Sequence, residues 1–499
     1  MEISTVTGAI GEQKTDAVAI GLFEEEVAAR SAQAAGLDAA LSERLSTVLA
    51  DGDFRGKRNE TLVLYTYGAL PAKRLILVGL GKRDAFQLDT IRQAAATVAK
   101  KGRALGLTEI HLSLFGAGVG DASRRTCAAA IVEGALLGLY RFTELKTQHK
   151  DERPDPERLI IIATEEEHTP DVEEGLRLGR VVAESTMLTR DLVNRPANLA
   201  SPAHLVEVGR EIASSTGLIS RVLDKPALEA LGMELLLSVN QGGRQPAQMI
   251  VLEHNADRSD LPTVVLVGKG ITFDTGGISL KSSQGMERMK GDMAGAAAIL
   301  GTLRAVALLD LPLHVVGLAP LTENMPDANA TRPGDVKGSL KGLTVEIINT
   351  DAEGRLILAD ALTYAGEFEP DAILDIATLT GGRIVALGRH AAAVMGNDGL
   401  IERLRQAGEA TGERVWPLPL FEEYGKQLES DVADLKNVGG REASSITAGY
   451  FLSKFTPENT PWVHIDIAGL EIAEKADAYI SKGGTGFGVR LLVEALRSW

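Results

Sequence analysis

Thr263-Val264-Val265-Leu266-Val267-Gly268-Lys269-Gly270-Ile271-Thr272-Phe273-Asp274-Thr275-Gly276-Gly277 sets the pattern for the rest of the chain. Its first half is a short, β-branched apolar run of the kind that forms a buried strand. Its second half is a glycine-punctuated turn carrying a lysine and an acid. In open α/β sheets, sites gather outside the carboxyl ends of the strands, so Lys269 and Asp274 are well placed for chemistry. Further along, Asn349-Thr350-Asp351-Ala352-Glu353-Gly354-Arg355 repeats the arrangement, with two acids and an arginine after another strand-like run. Between the two, Met289-Lys290-Gly291-Asp292-Met293 adds a fourth acid. Four carboxylates drawn together repel one another unless positive charge sits among them. Hard divalent cations, which favour oxygen ligands, are the usual answer. The pattern points to a metallohydrolase.

Either side of this core, strand-like runs alternate with helical spacing. Runs at 17–23, 61–65, 74–79, 110–115 and 159–163 are β-branched or Leu-rich, and 91–105 and 123–140 have the helical period. That alternation predicts an α/β unit of three layers over residues 1–165. The stretch 146–158 is polar, 165–174 is acidic, and apolar positions then recur at helical spacing from 171 to 193. Residues 166–194 are therefore expected to form a long linker helix, broken by Asn194-Arg195-Pro196-Ala197-Asn198. A catalytic domain is expected over 195–499, with strands at 263–267, 313–319, 345–349, 372–377, 391–395 and 463–467. Its helices are expected at 295–308, 355–365 and 447–454. The expected fold class is α/β in two domains, each a mainly parallel or mixed sheet flanked by helices.

Composition narrows the function. A chain of 499 residues with 44% apolar and 24% charged residues suits two globular domains, and no uninterrupted apolar run reaches bilayer-spanning length. Glu2 and Glu12 stand where a signal peptide would carry basic charge, and a single cysteine, Cys127, fits a reducing compartment. A cytoplasmic location is the expectation. Net charge is −16, yet residues 1–165 hold 21 Lys/Arg against 22 Asp/Glu, so the acidity is concentrated in the C-terminal two-thirds. Such a field repels nucleic acid and membrane phosphates.

Several readings of the same residues stay open. Lys269 between glycines resembles a phosphate loop but lacks the GxxxxGK[S/T] spacing, and Gly79-Leu80-Gly81 falls short of GxGxxG. Asp274-Thr275-Gly276 matches one half of an aspartic protease, whose chemistry needs a second such loop that is absent here. Asp292 could cap the helix that follows, Glu353 could answer a helix dipole, and Asp351 could close an Asx turn. Lys281 could be a surface lysine, Arg355 a surface partner of Asp351 or Asp360, and Met289 a core residue. His390 and His464 flank strands and read as structural; no histidine among the eight, His149 included, falls within the motifs.

Taken together the three segments resemble the signature blocks of leucyl aminopeptidases, the M17 family of two-metal exopeptidases. Asn349–Leu356 carries most of that resemblance, which extends over 180–499 and more loosely over the N-terminal part. Asp434-Leu435-Lys436-Asn437, the segment 446–451, His464-Ile465-Asp466-Ile467-Ala468-Gly469 and Gly484-Thr485-Gly486 also match. The resemblance implies that Asp274 and Glu353 bridge two divalent ions. It implies that Lys269 and Asp292 complete the tighter site and Asp351 the more exchangeable one. The ions would be Mn²⁺ or Zn²⁺, with Mg²⁺ a third occupant; an oxygen-dominated site with one amine is unusual for zinc. To coordinate, Lys269 must lose its proton.

The resemblance further implies that the ion pair activates a bridging water, and that the substrate's free α-amine binds one ion, which restricts cleavage to N-termini. Lys281 would stabilise the oxyanion and Arg355 would hold a bicarbonate that acts as base. Met289, Thr378 and Gly381 would line the first side-chain pocket, with a preference for Leu and Met. The expected product is a homohexamer, a dimer of trimers, acting on short peptides with a free N-terminus. Two rivals remain: a dinuclear hydrolase of another class, such as a phosphoesterase, and a binding protein that kept the fold.

Overall fold

The computed structural model describes residues 1–29, 37–148 and 153–499; His149 and the middle of the polar stretch 146–158 lie outside them. The described chain divides into two compact units, Met1–Glu184 with Lys475–Ser481, and Ser185–Glu474 with Lys482–Trp499.

The first unit is built on Glu2–Thr7 (β1), Ala17–Phe23 (β2), Thr61–Tyr65 (β3), Arg74–Gly81 (β4), Glu109–Ser113 (β5) and Arg158–Ala163 (β6). They form one sheet in the order β1-β6-β5-β2-β4-β3, parallel throughout except for β3. β2 shows why it needs cover on both faces. Ala17, Ala19 and Phe23 enter one apolar cluster with Ile91 and Ile131, while Val18, Ile20 and Leu22 enter another with Leu45 and Phe54. A strand apolar at every position fits only between two layers. The helices Leu88–Leu105 (α1) and Arg124–Leu139 (α2) pack together. α1 closes on Gly106, and Ser123 caps α2 by accepting from the Thr126 amide. β1, rich in Ser and Thr, has no apolar run and escaped the sequence reading.

Thr169–Asn194 (α3) is 26 residues long and ends where Arg195-Pro196 follows; the division between the units falls within it. Pro196 has no amide hydrogen with which to continue the helix.

The second unit contains Ile219–Leu223 (β7), Gln248–His254 (β8), Thr263–Gly268 (β9), Gly270–Asp274 (β10), His314–Asn324 (β11), Asp335–Lys337 (β12), Val345–Ile347 (β13), Ala372–Ala377 (β14), Ala392–Gly396 (β15), Val415–Pro417 (β16), Leu435–Lys436 (β17) and Trp462–Asp466 (β18). Nine of them make a mixed sheet in the order β16-β15-β18-β14-β9-β11-β8-β7, with β10 paired to β11. Its centre, β18-β14-β9-β11, is parallel. The run at 345–349 does not join this sheet: β13 pairs with β12 and β17 in a separate three-stranded one. Ala294–Leu309 (α4) packs against β9, β11 and β14, and Gly354–Tyr364 (α5) lies on β9 and β11. By length and composition Met286–Leu309 could cross a membrane, but 83% of its apolar 18-residue window is buried within the fold, the place of a core helix.

Two departures from the sequence reading matter for the site. β11 runs on to Asn324 although Pro320 interrupts it. Pro320 sits where the ladder passes from β9, paired up to Leu318, to β10, paired from Leu321, so the missing donor falls at a change of partner. The helix expected at 447–454 starts earlier, as Ser444–Ser453.

A candidate metal centre at the carboxyl edge of the second sheet

β9 ends at Gly268, and the next residue, Lys269, turns its side chain into the protein, 3% exposed. Its Nζ lies 2.8 Å from Asp292 Oδ2, 2.8 Å from Glu353 Oε1, and donates to the Thr378 carbonyl at 3.0 Å. Four segments thus meet at one amine: the ends of β9 and β14, the turn before α4, and the turn before α5. Space there is tight. A Cβ on Gly354 would come 2.5 Å from Lys269 Cε, so glycine is what lets the α5 turn approach.

Asp274 closes β10, buried. Its Oδ1 accepts from the Gly276 amide at 2.9 Å and from Asn324 Nδ2 at 2.8 Å, while Oδ2 faces Lys281 Nζ at 2.7 Å. Gly276 holds φ +87°, and a Cβ there would stand 2.8 Å from Asp351 Oδ1. The glycines after Asp274 therefore serve a close crossing of two loops, which answers the aspartic-protease reading of the same triplet. Lys281, 24% exposed, also contacts Asp351 Oδ1. Carboxylate oxygens of Asp274, Asp351 and Glu353 all lie within 4.8 Å of one another.

The ordinary structural uses of these acids are not what the fold shows. Met293, not Asp292, precedes the first turn of α4, and no side chain caps it. Asp292 instead accepts from Thr378 Oγ1 through Oδ1 at 2.7 Å and faces Lys269 through Oδ2. The Asx turn is closed by Asn349, whose Oδ1 accepts from the Asp351 amide at 2.9 Å. Glu353 does stand at the amino end of α5, where an acid suits the helix dipole, but it caps no amide and turns Oε1 to Lys269 at 2.8 Å. Arg355 is buried rather than paired on a helix surface, and its Nη1 donates to the Asn437 carbonyl at 2.6 Å.

Electrostatics follow from the crowding. Burial, then the nearby Glu353 charge, raises the Asp274 carboxyl to about 6 despite both lysines. Burial pushes Asp292 well above the usual carboxylate range and also raises Asp351. Glu353 is held low because the lysines outweigh its burial. Burial opposes the charge on Lys269 and Lys281, yet the surrounding acids raise both. Arg355 is pushed down to about 10 by burial. With protein groups alone, the acids keep Lys269 protonated.

Divalent cations fit this set. The donors are carboxylate oxygens, as hard cations prefer. Asp292 Oδ2 and Asp351 Oδ1 are buried with no well-directed hydrogen-bond donor, although an ammonium stands beside each. In the protein alone, the ammonium groups of Lys269 and Lys281 occupy the positive side of these two acids.

Of the remaining sequence candidates, Thr378 joins the cluster through Asp292. Met289 is half-buried in the turn before Asp292, whose amide donates to the Met289 carbonyl at 3.3 Å. Gly381 opens the helix Gly381–Leu387 (α6), exposed, with no atom near its missing Cβ. His464 lies within β18 rather than beside it, fully buried, with Nδ1 2.5 Å from Asp375 Oδ1. Three positioning residues had no role in the sequence reading: Asn324 was absent from it, and Asn437 and Asp466 stood only within matching segments. Asn324 touches both Asp274 and Glu353. Asn437 bonds the 348–352 loop through both ends of its amide. Asp466 holds the 378–380 loop through the Leu379 amide and Thr380 Oγ1.

Comparison with known proteins agrees with this geometry. The signature of the cytosol aminopeptidase family, catalytic domain, matches residues 187–493, and that of the family's N-terminal domain matches 19–149. The chain is 46% identical to a probable cytosol aminopeptidase of Geobacter sp. (strain M21), covering 97% of each chain. It is 43% identical to one of Roseiflexus castenholzii, covering 100% of this chain and 99% of the other. A tomato leucine aminopeptidase mutant superposes with a TM-score of 0.90 at 32% identity, over 100% of this chain and 97% of that one. The bottromycin maturation enzyme BotP, in complex with Mn, does so at 0.85 and 35%, over 97% and 99%. The chain belongs to the cytosol aminopeptidase family, metal-dependent hydrolases of the leucyl aminopeptidase type.

Proposed function

We propose that this aminopeptidase holds two divalent cations, Mn²⁺ or Zn²⁺ with Mg²⁺ as a further occupant, and removes Leu- or Met-like residues from short peptides. Asp274 and Glu353 would bridge the ions, Lys269 and Asp292 would complete one site, and Asp351 the other. The observation that carries this is the convergence of Asp274, Asp351 and Glu353 on one point at the carboxyl edge of the sheet, with Lys269 and Asp292 adjoining. Bound there, divalent cations lower the pKa of water toward neutrality and polarise a carbonyl.

The chain's own groups would do the rest. Lys269 gives up its proton when it coordinates, so metal uptake releases protons and weakens in acid. Lys281, on the more open side of the cluster and paired to Asp274 and Asp351 in the protein alone, would neutralise charge developing on the substrate's carbonyl oxygen. Arg355 Nε is buried without a hydrogen-bond partner, which suits a small anion such as bicarbonate acting as base. Met289, Thr378 and Gly381 would border the pocket for the first side chain. A homohexamer in the cytoplasm acting on short peptides with a free N-terminus completes the reading.

Hydrolysis of Leu-p-nitroanilide by metal-stripped protein, with Mn²⁺ or Zn²⁺ restored and the N-acetylated substrate as control, tests it. Turnover that requires both metal and a free amine supports the reading. Equal turnover of the acetylated substrate points instead to a hydrolase of another class.

A further inference from the structure

The first unit contains a cavity of about 700 Å³ outside the carboxyl ends of β1, β5 and β6. Parallel sheets place ligands at this edge, and the volume is that of a small-molecule site. Ile10, Leu70, Leu114 and Ile162 supply an apolar wall. Ser113, the last residue of β5, also lines it. Ser113 is 7% exposed, and its Oγ is buried without a hydrogen-bond partner. A buried hydroxyl left unbonded is costly, so Ser113 Oγ, closed off from solvent beside the cavity, has a hydrogen bond still to make to a polar atom that reaches it.

Charge narrows the ligand. In a chain of net charge −16, the described residues lining this cavity include no Asp or Glu. They do include Arg124, which makes no ion pair or side-chain hydrogen bond with the described residues. Arg124 is also the first residue of α2, a helix of 16 residues whose Ser123 cap takes only the Thr126 amide. The helix amino end and the guanidinium both favour an anion. His168 sits at the same cavity with Glu165 and Glu167 at 3.5 and 3.6 Å, so it adds a polar edge rather than a free charge.

We propose that this cavity binds a small organic anion: a phosphate or carboxylate against Arg124 and the amino end of α2, hydrogen-bonded by Ser113, with its apolar body on the Ile10–Leu114–Ile162 wall. The site is separate from the metal centre and does not rest on the function proposed for it.

Calorimetric titration of the full chain with phenyl phosphate, phenylacetate and uncharged benzyl alcohol tests the proposal. Binding of either anion, with benzyl alcohol at least about tenfold weaker, is expected; which anion binds identifies the head group. Arg124→Ala should weaken that binding about tenfold and Ala117→Trp, which fills the cavity from the turn after β5, should abolish it. Aminopeptidase activity of Arg124→Ala should be unchanged, since its exposed side chain makes no ion pair or hydrogen bond with the described residues and belongs to the first unit, not to the one that holds the metal centre. Failure of both anions to bind, or binding indifferent to Arg124→Ala, overturns the proposal and leaves a water-filled cavity. If Ala117→Trp does not fold, Arg124→Ala decides alone.

Discussion

Asn324 Nδ2 donates to Asp274 Oδ1 at 2.8 Å, and the same nitrogen reaches the Thr350 carbonyl at 3.0 Å and Glu353 Oε2 at 3.5 Å. One neutral amide at the end of β11 thus orients two carboxylates from different loops. Its two N–H groups serve Asp274 and the Thr350 carbonyl, with Glu353 Oε2 at the longer 3.5 Å, and it adds no charge to the cluster. Groups that orient metal ligands are commonly worth about 10–100-fold in affinity. Asn324→Ala should therefore weaken Mn²⁺ binding by about that factor and lower kcat/KM at limiting metal. Activity should recover largely at saturating Mn²⁺. A loss that no metal concentration restores would give Asn324 some other role.

Lys269 carries a second prediction. Its ammonium is the only group within 2.8 Å of both Asp292 and Glu353 among the described residues. Stripped of metal, the protein still has this charge at the centre of its acids. Lys269→Met removes it and leaves buried carboxylates facing one another, a defect of about 3–5 kcal/mol. Thermal unfolding in chelator should then fall well below that of the parent chain, and Mn²⁺ should raise the variant's Tm more than the parent's. Equal Tm values in chelator would mean that the acids take up protons at little cost.

Much of this site was legible in the chain because its residues stand in short turns after apolar strands, where glycine marks each close approach. Lys269, Asp274, Asp292, Asp351 and Glu353 all come from such turns, and the fold brings them together. Asn324 was hidden because Pro320 cuts the strand pattern short of it. Asn437 was noticed as part of a matching segment, but nothing in one sequence says that its amide will clamp a loop 88 residues away. β7 was missed because most of its residues are exposed; β13 was expected as a strand, but a three-residue strand cannot announce which sheet it joins. The cavity in the first unit has no single motif; it arises where three strand ends and a helix start converge.

His464 and Asp375 give a third prediction. Both are fully buried on neighbouring parallel strands, and Asp375 also accepts from Trp462 Nε1 at 2.7 Å. Burial opposes protonation of His464, but the Asp375 carboxylate outweighs it and holds the imidazole above its ordinary 6.5. A raised folded-state pKa contributes stability that is complete below the unfolded value and is lost as pH rises through the folded one. The parent chain should lose Tm on the alkaline side of neutrality, and His464→Gln should lose less over that range while starting lower. Parallel Tm–pH curves for the two proteins would remove His464 from the account.

Asp360 gives the last prediction. It lies within α5, fully buried, and accepts from the Leu236 amide through Oδ2 at 3.0 Å and from the Leu340 amide through Oδ1 at 2.9 Å. It therefore ties α5 to the first turn of the helix Glu234–Asn240, rather than pairing with Arg355 on a surface. Burial raises its carboxyl from 3.8 to about 7, against the pull of those amides. Between those values the folded chain holds a proton that the unfolded chain has released. Stability from this group is therefore complete below the unfolded pKa and lost as pH rises toward 7, by up to about 4 kcal/mol for a shift of that size. Asp360→Asn does not titrate. Across pH ~4–7, under one metal condition, its unfolding free energy should fall less steeply than the parent's, whatever its absolute value. The difference between the two curves isolates Asp360 from Asp274, Asp292 and Asp351, whose raised pKa values act in the same direction in both proteins. Identical slopes would mean that Asp360 stays ionised in the fold, its two amide donors sufficing to hold the charge.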